Sequence, residues 1–336
     1  MRKALVVAPS WIGDTILAQP LFRRLHDKHP GLVLDAFAPA WAAPVLARMQ
    51  EIRRVIPNPF GHGEFNLSGR WRAGRELARE GYDSAIVLPN SWKSALPPYF
   101  AGIPERIGFR GEARSLLLNR IQRLDEAALP QLAQRYALLA EDLGAAAPAP
   151  LAAPQLEIDR ESVRATLAAL GLDAAKSPVA FCPGAEYGPA KRWPARHFAE
   201  LSRRLAQTDF SVWLIGSAKD APLGAEIEQL SGGAARNLCG RTDLGQAIDL
   251  LSCARLVVSN DSGLMHVAAA LDRPLVALYG SSSTAYTPPL SRRARLLSLG
   301  LECSPCFRRE CPLGHFKCLN DLSPGRVLGE IKEILS

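Results

Sequence analysis

The segment 258–266 contains residue types that can bind an anion. It reads VSNDSGLMH, so an apolar stretch leads through Asp261 and Ser262 to Gly263, with His266 one helical turn further on. The pattern predicts a strand, a polar turn and a helix. Such a turn leaves free N–H groups at the helix start, and glycine lets a ligand approach the backbone. We therefore expect an anion site; capping by Ser262 or Asp261, with a histidine in the core, is the alternative.

The loop 182–194 has a similar character. It reads CPGAEYGPAKRWP and contains Glu186 and Tyr187, followed by the adjacent cations Lys191 and Arg192 just before a predicted helix. The helix dipole disfavours cations at a helix N-terminus. Their position therefore indicates an anionic partner between them and the backbone amides. Exposed loop charges are the alternative interpretation.

A third loop, 9–14, follows the first apolar strand and reads PSWIGD. It places Trp11, Gly13 and Asp14 at the carboxyl end of that strand. A carboxylate in this position can accept a proton from a substrate hydroxyl. Because aspartate is also a favoured N-cap residue, capping of the following helix explains Asp14 equally well.

Four cysteines lie within sixteen residues. Cys303, Cys306, Cys311 and Cys318 have the spacing C-x2-C-x4-C-x6-C, with His315 between the last two. Such spacing is typical of a structural Zn²⁺ site, although it is not a regular pair of CxxC motifs. Reduced thiols that pack a loop and disulfides are the alternatives.

A basic run follows Trp92 and Lys93. Its members are Arg106, Arg110, Arg114, Arg120 and Arg123. The run predicts a docking surface for an anionic acceptor, and a solvated helix face is the alternative.

Two common nucleotide motifs are absent from the sequence. There is no G-x-G-x-x-G and no G-x-x-x-x-G-K-[ST], which disfavours a dinucleotide dehydrogenase and a P-loop kinase. No Asp-x-Asp pair is present to hold a divalent metal against a diphosphate.

These loops are positioned by two α/β halves. In the first half, a strand at 3–8, a helix at 15–28 and a strand at 32–38 form a βαβ unit, which requires parallel pairing. A long helix is predicted at 129–143. The Pro-rich stretch 144–154 separates this half from a second one with the same alternation, so we expect two Rossmann-like α/β/α domains that face a central cleft.

Length and composition are consistent with this organisation. The chain has 336 residues, 48% of them apolar, and a formal charge of +7, which favours an anionic partner. No apolar run reaches the length of a membrane span, and the one near the N-terminus ends too early for a signal peptide. The seven cysteines fit a reducing cytoplasm better than a disulfide scaffold.

As an ordered set, the loops at 9–14, 183–194 and 260–266 and the cysteine-rich segment 303–318 resemble glycosyltransferase family 9. The resemblance implies a GT-B fold. It assigns 1–153 to an acceptor-binding domain and 154–322 to an ADP-heptose-binding domain. It also implies that the segment 323–336, with its final helix, packs back on the first domain.

The resemblance implies an inverting transfer of L-glycero-D-manno-heptose from ADP-heptose to the first heptose of the lipopolysaccharide inner core. Asp14 is then the expected general base, and Lys191 is expected to neutralise the leaving diphosphate. The expected donor-binding residues are Glu186, Tyr187, Lys191, Arg241, Thr242, Asp261, Ser262, Gly263 and His266. The expected acceptor-binding residues are Trp11, Gly13, Trp92, Lys93, Arg106 and Arg110.

The family resemblance also implies the partners. They are ADP-heptose, heptosyl-Kdo2-lipid A and the anionic cytoplasmic face of the inner membrane, which a cytoplasmic protein would contact peripherally; nucleic acid is not expected. No cofactor is expected to be required, and a structural zinc at the cysteine cluster is left open. The alternatives are another GT-B sugar-nucleotide enzyme, such as heptosyltransferase I, a later core transferase or an epimerase, and a non-catalytic nucleotide-sugar-binding protein.

Overall fold

The computed structural model describes residues 1–61, 63–146 and 149–336, which form two units. The first unit is Met1–Pro154 and the second is Gln155–Ser336. The division falls one residue after the predicted boundary, at the end of the Pro-rich stretch; residues 147 and 148 of that stretch lie outside the described residues. No helix in the described ranges is both long and apolar enough to cross a lipid bilayer.

The first unit is built on a parallel sheet of six strands. In chain order the strands are β1 (Lys3–Val7), β2 (Val33–Ala38), β3 (Arg54–Pro57), β4 (Ser84–Val87), β5 (Glu105–Phe109) and β6 (Arg120–Gln122). They are arranged in the order β3-β2-β1-β4-β5-β6. The central strand β1 is apolar and almost fully buried because both of its faces are covered, as expected for a parallel sheet. Val7 pairs with Phe37 and Val87, so the carboxyl ends of three strands meet at one edge.

Helices connect these strands. They are α1 (Ile12–Leu17), α2 (Gln19–Lys28), α3 (Ala43–Leu46), α4 (Leu67–Ala78), α5 (Leu96–Phe100) and α6 (Leu132–Leu138). The single helix predicted at 15–28 is divided at Ala18, since Pro20 lacks an N–H and starts a new helix in its first turn.

The predicted long helix at 129–143 is wrong in length. Only Leu132–Leu138 is helical. The carbonyl of Glu141 instead accepts hydrogen bonds from the side chains of Arg120 and Gln122 on β6. Side chains of the sheet edge therefore hold the chain that follows the helix.

The second unit repeats the architecture of the first. Its strands are β7 (Val179–Cys182), β8 (Val212–Leu214), β9 (Ala235–Asn237), β10 (Leu256–Asn260), β11 (Leu275–Leu278) and β12 (Ala294–Leu297). Their order is β12-β11-β10-β7-β8-β9. Counted from the first strand of each unit, both sheets have the order 3-2-1-4-5-6, which is that of doubly wound nucleotide-binding folds. The predicted fold class is confirmed.

The helices of the second unit surround this sheet. They are α7 (Arg160–Leu170), α8 (Ala195–Leu205), α9 (Ala221–Leu230), α10 (Leu244–Cys253), α11 (Gly263–Ala270), α12 (Lys317–Asn320) and α13 (Pro324–Leu335). The final helix packs on α8 and β11, and its Val327 and Ile331 are buried in the core of this unit. The segment 323–336 is thus part of the second unit. Its return to the first domain stays a prediction.

Candidate active site

Polar loops follow the adjacent strands β7 and β10 of the second unit, and Asn260 joins them. Asn260 is fully buried. Its amide nitrogen donates to the carbonyl of Pro183 at 2.7 Å, and its amide oxygen accepts from the backbone N–H of Trp193 at 3.0 Å. The two bonds fix the loop 183–193 against the turn that begins at Asp261. The sequence analysis included Asn260 in the motif 258–266 but assigned it no role; an amide side chain at the end of a buried strand was the available signal.

Lys191 and Asp261 form an ion pair between these two loops. Lys191 Nζ lies 2.6 Å from Asp261 Oδ2, and the Asp261 side chain is only 5% exposed. The ammonium also lies 5.1 Å from the ring centroid of Tyr187. The predicted anionic partner of Lys191 is therefore a carboxylate of the same unit. The ammonium is held in place before any ligand arrives.

His266 lies in the first turns of α11 and is buried. Burial lowers the pKa of His266 to about 4; the charge of Asp261 opposes the shift and that of Lys191 adds to it. The imidazole is therefore neutral near pH 7, with one donor and one acceptor nitrogen. Its Nδ1 has no hydrogen-bond partner among the described residues. A buried polar atom normally has a hydrogen-bond partner. An unsatisfied one, such as this ring nitrogen, is a feature of sites that receive a polar ligand.

No side chain caps the start of α11. Ser262 occupies the N-cap position, but its hydroxyl makes no capping bond and lies 3.3 Å from the hydroxyl of Ser259. Asp261 pairs with Lys191 instead. The alternative that these residues cap the helix is therefore wrong. The N–H groups at Gly263 and beyond remain available to an anion, which the helix dipole favours.

Three further hydroxyls lie buried without a partner in the described part of the second unit. Ser281 and Ser282 follow β11, and Thr242 belongs to the predicted set. Ser281 and Ser282 were missed by sequence reasoning, although three consecutive serines shortly after a buried strand were visible. Arg241, beside Thr242, is exposed.

Glu186 is exposed and forms an ion pair with Lys219, which is also exposed. Such a surface pair contributes little to stability, so Glu186 can exchange its partner for a ligand at small cost. Its role in donor binding stays a prediction.

The cysteine-rich segment packs against the loop that carries Lys191. Tyr187 donates its hydroxyl proton to the carbonyl of Phe307 at 2.7 Å, and the N–H of Ala190 donates to the carbonyl of Arg309 at 3.0 Å. A Cβ atom on Gly188 would lie 2.5 Å from that same carbonyl oxygen, so only glycine fits there. All seven cysteines are free thiols, which excludes the disulfide alternative for this structure.

In the first unit, Asp14 lies in the first turn of α1, at the carboxyl end of β1. The N-cap of this helix is Trp11, three residues earlier, so the alternative that Asp14 is the N-cap is wrong. Asp14 is half-buried, Gly13 is buried, and the Trp11 side chain is 46% exposed. A carboxylate in the first turn of a helix also interacts favourably with the helix dipole. The role of Asp14 as a base stays a prediction.

Trp92 and Lys93 lie in a short 3-10 helix after β4. The Trp92 ring packs on Phe65 with 5.2 Å between ring centroids. Lys93 Nζ donates to the carbonyl of Gly63 at 2.9 Å. Both side chains thus hold the segment that precedes α4.

The basic run at 106–123 does not form one charged face. It contains the strands β5 and β6 rather than a helix, and Arg114 is buried. The Arg114 guanidinium donates to the carbonyls of Phe109 and Pro89 and to the side chain of Asn90.

Arg106 and Arg120 are also engaged within the unit. Arg106 donates to the carbonyls of Leu117 and Ile103, and Arg120 pairs with Glu105 and Asp142. Only Arg110 and Arg123 of the run are exposed. Arg114 therefore does not belong to the predicted docking surface, because it is buried and its guanidinium is occupied by carbonyls of this unit. The acceptor role of the other arginines of the run stays a prediction.

Two doubly wound units of this strand order, in a chain that superposes on a solved heptosyltransferase, define a glycosyltransferase of the GT-B class. The chain belongs to glycosyltransferase family 9 (heptosyltransferase), whose family model matches residues 70–317.

Individual relatives cover the whole chain. It is 45% identical to lipopolysaccharide heptosyltransferase 2 of Escherichia coli, over 99% of this chain and 98% of the relative. It is 28% identical to lipopolysaccharide heptosyltransferase 1 of Pseudomonas aeruginosa, over 99% and 98% of the two chains. The solved structure of the E. coli ADP-heptose LPS heptosyltransferase II superposes with a TM-score of 0.88 at 43% identity, covering 100% of this chain and 98% of that one.

Proposed function

We propose that this glycosyltransferase transfers L-glycero-D-manno-heptose from ADP-heptose to the first heptose of the lipopolysaccharide inner core. The relatives named for the second heptosyltransferase support this specificity, because they share 45% and 46% identity with the chain. One structural observation carries the proposal. The Lys191–Asp261 pair lies beside an uncapped helix start and a neutral His266 with an unpaired ring nitrogen.

The donor diphosphate would bind at this place. As ADP departs, negative charge develops on the phosphate oxygens. The Lys191 ammonium can donate to these oxygens while it keeps its contact with Asp261. The N–H groups at the start of α11 and the neutral imidazole of His266 add hydrogen-bond donors or acceptors. Glu186, Tyr187, Arg241 and Thr242 are proposed to contact the adenosine and the sugar. This scheme assigns no step to a metal or a cofactor, so transfer should not require added Mg²⁺.

The acceptor would bind in the first unit, with Asp14 as general base. The acceptor oxygen attacks the anomeric carbon of heptose as the bond from that carbon to the phosphate oxygen breaks. The departing ADP keeps the electron pair, and the hydroxyl proton passes to the Asp14 carboxylate. Attack opposite the leaving group inverts the anomeric centre. Trp11, Gly13, Trp92, Lys93, Arg106 and Arg110 are the proposed acceptor contacts, with Arg106 and Lys93 also holding backbone carbonyls.

We propose peripheral contact with the anionic cytoplasmic face of the inner membrane, where a lipid-linked acceptor would be found. The exposed face of α4 supports this contact. Leu67 and Trp71 are 47% and 53% exposed there, Arg72 and Arg75 are exposed on the same helix, and the exposed Arg79 directly follows it. Aromatic and basic side chains together favour an anionic bilayer surface.

Mass spectrometry of the reaction products tests the proposal. The purified protein is incubated with ADP-heptose and either Kdo2-lipid A or its mono-heptosylated form. We expect heptose addition only to the mono-heptosylated acceptor. Addition to Kdo2-lipid A instead would indicate a first heptosyltransferase, and tight ADP-heptose binding without any product would indicate a non-catalytic binding protein.

A further inference from the structure

We propose that Cys303, Cys306, Cys311 and Cys318 bind one thiophilic divalent metal ion of the Zn²⁺ type. All four thiols line a single cavity in the second unit, together with His315. None of them is in a disulfide. Four thiols in one cavity match the donor number and type of a closed structural site, because soft thiolates select Zn²⁺ and related ions.

The loop around Cys311 already provides a hydrogen bond to a sulfur ligand. The N–H of Phe316 donates to Cys311 Sγ at 3.4 Å. An amide N–H that donates to a sulfur stabilises its thiolate form, which is the form that binds metal.

A second observation points to a ligand in the cavity. Ser281 contributes to the cavity wall and is 1% exposed. Its hydroxyl has no hydrogen-bond partner among the described residues. A buried hydroxyl without a partner carries an energetic cost unless something bound nearby satisfies it.

The segment has no regular secondary structure to hold it. From the end of β12 at Leu297 to the start of α12 at Lys317, the chain has neither helix nor strand. Phe307 and Phe316 lie in the left-handed region, with φ of 53° and 49°, which is costly for bulky residues. Irregular segments of this length in compact domains are uncommon without a function. A metal ion that joins four points of the segment would hold it in this conformation.

The thiols must move to bind the ion. No group of three histidine, cysteine or acidic side chains within the described ranges is already arranged as a metal site. The cysteines therefore have to rotate toward a common centre. Each thiol gives its proton to the solvent and binds as a thiolate, so binding should weaken as the pH falls.

The site would act on the loop 183–193 that carries Lys191, which we call the donor loop. The same segment accepts the Tyr187 hydroxyl at Phe307 and the Ala190 amide at Arg309, on either side of Gly188 and next to Lys191. A metal that fixes the segment would therefore fix the position of Lys191. This consequence, unlike the metal site itself, rests on the proposed function, and it predicts a several-fold rise in KM for ADP-heptose after metal removal.

Titration of the reduced, metal-stripped protein with CoCl2 tests the site. We expect one Co²⁺ per chain, the sulfur-to-cobalt charge-transfer absorption of a tetrahedral thiolate site, and displacement by ZnCl2. Cys311→Ser and Cys318→Ser should lose stoichiometric binding, whereas Cys253→Ser, a half-buried cysteine outside the cluster, should keep it. No binding by the wild-type protein, or binding that survives both cluster substitutions, overturns the proposal.

A measurement on the wild-type protein covers the case in which the serine variants do not fold. The accessible thiols are counted with a thiol reagent, with and without saturating ZnCl2. We expect Zn²⁺ to protect the four cluster thiols, and unchanged reactivity would overturn the site. Thiolate-bound Co²⁺ in a protein that transfers no heptose would support the site and contradict only the proposed function.

Discussion

The two units have the same strand order but use their buried polar groups differently. In the first unit, the buried Asp35 accepts hydrogen bonds from Arg53 at 2.9 and 2.6 Å and from the Tyr82 hydroxyl at 2.7 Å. Burial by itself would raise the pKa of Asp35, but these hydrogen bonds bring it below its usual value. Arg114 is likewise bound on several sides, and its burial lowers its pKa to about 10.

The second unit leaves buried polar atoms unpaired. Within the described ranges, the buried side-chain nitrogen and oxygen atoms that lack a partner all belong to this unit. They are found in Arg192, His197, Thr242, His266, Ser281 and Ser282. In the first unit, the described buried polar groups bond to one another and stabilise the fold. In the second unit, some are unsatisfied, and we propose that part of these bind the ligand.

The largest predicted effect concerns Asp14 of the first unit, which we assign to catalysis. Asp14→Asn should reduce kcat about 10²–10⁴-fold, because a general base of this kind contributes that much. ADP-heptose affinity, measured by calorimetry, should be unchanged. Asp27→Asn, an exposed aspartate on α2, is the control and should retain full activity. A fully active Asp14→Asn enzyme would reassign Asp14 to the structure of α1.

The next effect tests whether the second unit is arranged for a ligand. Lys191→Ala should weaken ADP-heptose binding about 10–100-fold, which corresponds to the ~1.5–3 kcal/mol of a charge-assisted hydrogen bond. The single substitution also leaves Asp261 buried without its cation, which lowers stability.

The double variant Lys191→Ala/Asp261→Asn separates these two effects. It should recover stability, because no unpaired charge remains, while its donor affinity stays low. Calorimetric binding and chemical denaturation measure the two quantities. Recovery of donor affinity in the double variant would mean that Lys191 serves only to neutralise Asp261.

A smaller effect is expected for the buried charges of the first unit. Asp35→Ala removes charge-assisted hydrogen bonds and leaves the Tyr82 hydroxyl without its acceptor. The free energy of unfolding should fall by about 1.5–3 kcal/mol, with ADP-heptose affinity unchanged. Because the folded pKa of Asp35 is lowered, its contribution is present above the unfolded pKa of about 3.9 and is lost as the pH falls further. Urea denaturation at neutral and at acidic pH measures the loss of stability and its dependence on pH. Loss of ADP-heptose binding in this variant would contradict a purely structural role for Asp35.

The smallest effect concerns the proposed bilayer contact of α4. Arg72→Glu/Arg75→Glu should weaken binding to anionic vesicles by at least about 1 kcal/mol per residue at low salt, with less difference at high salt. Arg160→Glu/Arg164→Glu, an exposed pair on α7 with similar spacing, is the matched control. Equal loss in both pairs would assign the attraction to net charge rather than to α4. Vesicle sedimentation provides the measurement.

Periodicity and apolar runs predicted the buried strands and the amphipathic helices, because these elements are determined by the local hydrophobic pattern. In the second half, apolar runs and helical periodicity predict a strand at 179–182 and helices at 221–230, 244–253, 263–270 and 324–335. The structure has all five elements with these bounds. The strands β5, β6 and β12 were missed. They are three to five residues long and contain arginines, and pairing with a neighbouring strand, rather than composition, makes such segments extended.

The site was predicted in part. Loop chemistry identified Lys191, Asp261 and His266, but their mutual arrangement depends on the pairing of β10 with β7, which places residues seventy positions apart in contact. The hydrogen bonds of Asn260 to Pro183 and Trp193 depend on the same strand pairing. Arg106 and Arg114 were assigned to a docking surface because a sequence does not reveal that backbone carbonyls will surround a guanidinium.

The close approach of Gly188 to the Arg309 carbonyl limits how the donor loop can change. A compound that competes with ADP-heptose at this loop would leave the organism few ways to escape by substitution there. Any side chain at position 188 would meet the carbonyl at 2.5 Å and displace the neighbouring Ala190 amide from its bond. Resistance at this position would therefore carry a loss of the enzyme's own substrate binding.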